Sequence, residues 1–140
     1  MALAPNPFPF RRIQDEVLKA NLVLPNANAT TYSGAIDLGT PTLSITNESI
    51  SLIANIPNIP NVPNAAVQTY TVEHADANAN ANFSSLGITL TVTGGATGVL
   101  AQLLEAKLPG HTKQFVRLKA LGGSGAGTTI AETAKVEIRT

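Results

Sequence analysis

Apolar and polar positions alternate along much of this chain, and the alternation has a period of two. The clearest case is Phe115–Leu121. Val116, Leu118 and Ala120 fall on one face, and Arg117 and Lys119 fall on the other. That pattern predicts a strand with one face on a core and the other largely toward solvent. Leu108-Pro109-Gly110-His111 precedes it as a turn signal, and Gly122–Gly127 follows as a flexible connection. Ala134, Val136 and Ile138 then alternate with Lys135, Glu137 and Arg139. The two runs read as neighbouring antiparallel strands, joined by a link too long for a two-residue hairpin.

The same signal recurs upstream. Ile88, Leu90 and Val92 alternate with Thr89, Thr91 and Thr93, a β pattern in both composition and period. Residues 29–38 read as one strand, as do 48–56, with Ile50, Leu52, Ala54 and Ile56 on one face. Ala66–His74 is a further strand. Residues 75–82 are an Ala/Asn/Asp loop whose end Phe83 anchors. Val99–Leu108 has leucines at helical spacing, but its position between two turns favours a strand. Residues 13–24 read as a helical turn followed by an extended piece.

Seven to eight strands separated by Gly, Pro and Asn define an all-β chain, either a β-sandwich or a barrel. Strand count alone does not separate a jelly roll from an immunoglobulin-like sandwich. The predicted core is Ile50, Leu52, Leu90, Val92, Val116, Leu118, Val136 and Ile138.

Two segments fall outside this pattern. Residues 1–16 read as an extended N-terminal arm, because Pro5, Pro7 and Pro9 exclude a regular helix. The arm carries Phe8, Phe10, Arg11 and Arg12, which are candidate contacts to a neighbouring subunit or partner; a disordered tail is the alternative. Asn55–Asn64 repeats Asn, a β-branched residue and Pro. Proline at every third place favours polyproline II geometry, with three residues per turn. Such a loop would either present Ile59 and Val62 to a partner or pack back on its own sheet.

A length of 140 residues suits one domain. The formal net charge is zero, which argues against a nucleic-acid partner, since a binder of that kind carries a basic stripe. Yet from Asp37 to Glu105 every charged residue is acidic, and from Lys107 onward basic residues prevail. Two surfaces of opposite sign or ordinary solvated strand faces both fit this distribution. There is no cysteine, so neither disulfides nor thiolate metal sites hold the fold. No apolar stretch reaches about 18 residues, so a membrane span is not expected. The start of the chain lacks a basic region followed by an apolar one, so no secretory signal is expected.

Candidate chemistry is sparse. His74 and His111 lie on different elements; Asp76 could join His74 across a loop, but a metal site normally needs a third protein ligand. Gly122-Gly123-Ser124-Gly125 lacks both the strand-to-helix elbow of a nucleophile and the Lys of a phosphate loop. No cofactor and no enzymatic activity are expected. Tyr32 and Tyr70 are the only tyrosines and there is no tryptophan, which weakens a carbohydrate-binding reading without removing it.

An ordered set of segments resembles a known family. It runs from Ala20-Asn21-Leu22-Val23-Leu24 and Ala35-Ile36-Asp37-Leu38-Gly39 to Val72-Glu73-His74-Ala75-Asp76 with Phe83. It continues through Lys107-Leu108-Pro109-Gly110-His111-Thr112-Lys113-Gln114-Phe115-Val116-Arg117-Leu118 to a terminal alternating strand. Together these resemble the small head-decoration, or capsid cement, proteins of tailed bacteriophages, over most of residues 17–140. The resemblance implies a single jelly-roll-like β-sandwich over 17–140 and a place on the outer capsid surface of the virion. It also implies binding to the major capsid protein and self-association as a homotrimer. The alternative is a carbohydrate-binding or adhesin-type sandwich module.

Overall fold

The computed structural model describes residues 18–42, 50–125, 127 and 132–139. Among these residues nine strands form two antiparallel sheets: β1 (Lys19–Val23), β2 (Thr30–Tyr32), β3 (Ile36–Thr42), β4 (Ser51–Ile56), β5 (Val67–Ala75), β6 (Ser84–Thr93), β7 (Gln102–Lys107), β8 (Lys113–Gly122) and β9 (Thr133–Arg139). One sheet has the order β1-β9-β4-β7. The other has the order β2-β8-β5-β6, with β3 also on β8. The chain is an all-β sandwich.

The inward rows are those the alternation predicts. Leu52, Val92, Val116, Leu118, Val136 and Ile138 are buried in one core cluster, with Ile50 and Leu90 half-buried at its margin. Tyr70 joins them and donates its hydroxyl to Gln68 Oε1 at 2.9 Å, while burial raises its pKa.

Three expectations are corrected. β8 and β9 are not neighbours: β8 pairs with β2, β3 and β5, whereas β9 lies between β1 and β4 in the opposite sheet. β8 and β9 therefore belong to different layers. Alternation reports which face a strand buries, but not whose amides it meets. The single strand expected at 29–38 is two, which raises the count to nine. The break at 33–35 is stitched to β8 by Ser33, whose N–H donates to Leu118 O and whose Oγ accepts from Leu118 N, both at 2.9 Å. Finally, the outward face of β8 is not simply solvated, because Arg117 is buried there.

Candidate interaction surfaces

The Asn-x-Pro segment turns opposite to the candidate role of its aliphatic residues. Ile59 and Val62 are 0% and 1% exposed, inside the chain's own core. They are not available as side-chain contacts to a partner. Burying an aliphatic side chain is worth about 1.5–3 kcal/mol relative to leaving it in water, which favours the packed arrangement. The outward edges of the repeat are then Asn58, Pro60, Asn61, Pro63 and Asn64.

Two neighbouring segments hold this ridge. Ile59 and Val99 exchange both backbone hydrogen bonds, at 2.7 and 2.9 Å. Ala65 N–H donates to Gly94 O and Gly94 N–H to Ala66 O, each at 2.8 Å. Glycine is required at both supporting turns. A Cβ on Gly94 would stand 2.3 Å from Pro63 O, and one on Gly98, whose φ is +90°, would stand 2.3 Å from Ile59 O. Leu100 and Leu103, which follow the Val99 bridge, are 66% and 59% exposed. No charged residue occurs between Ile56 and Ala66. The result is a stiff, uncharged ridge of proline and amide groups with exposed leucines nearby.

A second cluster lies on the outer face of the β2-β8-β5-β6 sheet. Arg117 on β8 stands opposite Glu73 on β5, with Nε 2.8 Å from Glu73 Oε1. Its Nη1 donates to Asn80 Oδ1 at 2.7 Å, and its guanidinium carbon is 4.1 Å from the ring centroids of both Tyr32 and Phe83. These contacts combine a charge-assisted hydrogen bond with cation–π attraction. They pin the 76–83 loop, with its 3-10 turn at Asn80–Asn82, onto the sheet. Phe83 thus anchors the loop end, as its position in the sequence suggested. Tyr32 remains 44% exposed. It shares a cross-strand row with Lys119, Thr71 and Thr89, and the next row holds Thr30, Leu121, Thr69 and Thr91.

The two histidines meet at one end of this sheet, although they are far apart in the chain. Their ring centroids are 6.2 Å apart in an edge-to-face arrangement. Lys113 N–H donates to His74 Nδ1 at 3.2 Å, and Lys113 Nζ lies 3.4 Å from Asp76 Oδ2. Burial lowers the pKa of His74; Lys113 and His111 add to the effect, and Asp76 opposes it. Among the described residues no group of three or more His, Cys, Asp or Glu side chains could hold a metal ion. No helix among them is long and apolar enough to cross a membrane.

Phe8, Phe10, Arg11 and Arg12 lie outside the described residues. The opposite-sign surfaces considered from the sequence are not sorted between the layers, since Asp76 pairs with Lys113, Glu73 with Arg117 and Glu137 with Arg139. Neither the Arg117 cluster nor the histidine pair was evident from the sequence. The one local signal was the Val72–Asp76 stretch, with its glutamate, histidine and aspartate leading into a loop.

No protein-family model and no curated protein matches this sequence. Among solved structures, the chain is similar to a non-crystalline cellulose specific carbohydrate-binding module, with a TM-score of 0.48 and 8% identity. That match covers 79% of this chain and 65% of the module's length. It is also similar to a cleaved adhesin domain of Lys-gingipain from Porphyromonas gingivalis, with a TM-score of 0.45 and 17% identity, over 85% of this chain and 71% of that one. Murine APRIL gives a TM-score of 0.41 and 8% identity, over 88% of this chain and 98% of that one. At these scores and identities no ligand or partner carries over to this chain.

Proposed function

We propose that this chain is a non-catalytic structural subunit that works by protein contact. In this reading it binds the outer surface of an expanded phage capsid and bridges neighbouring major capsid subunits. The observation that carries the proposal is the clamped Asn-x-Pro ridge. A loop already held in one conformation loses little entropy on docking, and its uncharged surface suits a neutral protein partner. The resemblance to cement proteins, which covers most of residues 17–140 but not the Asn-x-Pro loop, suggests the identity of that partner. The test is sedimentation of lysate from a producing culture, with this chain followed by mass spectrometry. Co-sedimentation with DNA-filled particles at a fixed, high copy number is expected. Recovery only in the light fraction would overturn the reading. Equal particle occupancy by protein lacking residues 1–12 would remove Phe8, Phe10, Arg11 and Arg12 from the contact.

A second reading, a carbohydrate-binding or adhesin-type module, is favoured by one observation. Tyr32 offers a half-exposed aromatic ring beside Lys119 and a field of threonine hydroxyls. An amphipathic ring bordered by hydrogen-bonding groups suits a sugar. Retention on an immobilised glycan that disappears in Tyr32→Ala, in a chain absent from particles, would select this reading.

A further inference from the structure

An edge strand presents unpaired backbone N–H and C=O groups, and native sequences usually guard it with charge, proline, a bulge or brevity. Among the described residues the edges of this sandwich follow that rule, β6 only in its first half, where it is bulged. β1 carries Lys19; β2 has only three residues; β3 carries Asp37 and Pro41; β7 carries Glu105 and Lys107. β6 is ten residues long and has neither a charge nor a proline.

β6 carries one irregularity, a bulge in its first half, after Ser84 and Ser85 have paired with His74 and Glu73. Gly87 has a φ of +86°, and the β5–β6 register shifts between Thr71 and Glu73. Beyond it Thr89-Leu90-Thr91-Val92-Thr93 stays in even register with β5, and Ile88 adjoins the shift. This is a neutral run of β-branched and aliphatic residues, the composition most prone to add another strand. Its inward row is incompletely covered: Leu86 and Val92 are buried, but Ile88 and Leu90 between them are only half-buried.

We propose that the β6 edge is a pairing edge, occupied by β6 of a second copy of this chain. The argument for a copy is self-complementarity. A two-fold axis normal to the sheet at Thr89 runs the two strands antiparallel and keeps both inward rows on the same side. It sets Ile88 against Leu90 of the partner subunit, so the two half-buried side chains cover each other. The threonine rows continue outside, and no like charges meet. Such a contact gives even-numbered assemblies, where the cement resemblance implies trimers.

The test uses the full chain in sedimentation equilibrium across a range of concentrations. The unaltered protein is expected to dimerise. A Thr89→Lys/Thr91→Lys variant places charges on the solvent face, where they leave the core intact. It should keep its circular dichroism spectrum and dimerise about tenfold or more weakly, because like charges then face one another across the seam. The chain has no cysteine, so Thr89→Cys provides a single thiol at the axis. Mild oxidation should link it into a covalent dimer, while Thr97→Cys on the exposed turn should not link. A monomer at every concentration would overturn the proposal, as would an oligomer, trimer included, whose mass the lysines leave unchanged.

Discussion

Glu73 and Arg117 face each other across β5 and β8 as an ion pair whose side chains are only 11% and 10% exposed. Desolvation makes such a pair costly to form and costlier to break singly. Arg117→Ala would leave the Glu73 carboxylate without its partner and release Asn80, Tyr32 and Phe83 at once. A loss of about 3–5 kcal/mol is expected, read from urea denaturation. Arg117→Lys should recover only part of it, because an ammonium lacks the planar fork that reaches a carboxylate, an amide and two rings together. A midpoint unchanged in Arg117→Ala would show that the cluster does not hold the loop.

The ridge rests on Gly98. Gly98→Ala would combine a φ of +90° with a Cβ 2.3 Å from Ile59 O. The expected cost is about 1–3 kcal/mol, as for other forced overpacking. Amide exchange at Ile59 and Val99 should accelerate first, because those two residues bridge the strained site. Gly39→Ala is the control: its φ is +79° but nothing lies within 4 Å of its Cβ position. Equal costs in the two variants would mean that the close approach contributes nothing.

Stability should depend on pH through His74. Its folded pKa lies below the ordinary 6.5, chiefly because of burial. The unfolded chain therefore binds the proton more readily than the folded one. The contribution is fully present above 6.5 and is lost as pH falls through the lower folded value. Protonation would also set a cation beside Lys113 and His111 and turn Nδ1 from acceptor to donor against the Lys113 N–H. Denaturation midpoints compared at pH about 7.5 and about 5.5 should fall on acidification, and His74→Gln should reduce the slope. An identical slope in the variant would assign the acid sensitivity to other groups.

Fold class was legible because side-chain period is a local property. Leu52, Val116, Leu118, Val136 and Ile138 announce their inward direction through their own neighbours in the chain. Turn residues mark the gaps equally locally, apart from the break at 33–35, which depends on hydrogen bonds between Ser33 and Leu118 on a strand far along the chain. The Arg117 cluster was not legible for a related reason. Arg117 sits at a polar position of a clean alternation, and only register places Glu73 opposite it and brings the Asn80–Phe83 loop over it.

By itself, then, the sequence determined that this protein is built of strands, and which rows of side chains those strands bury. Tertiary structure decided which strands are neighbours, putting β8 and β9 in opposite layers. It also decided that Ile59 and Val62 belong to the core while Pro60 and Asn61 face outward. Periodicity is set by bond geometry from one residue to the next. Sheet order and loop direction are set by hydrogen bonds and close packing between residues far apart in the chain, and no local pattern encodes those partners.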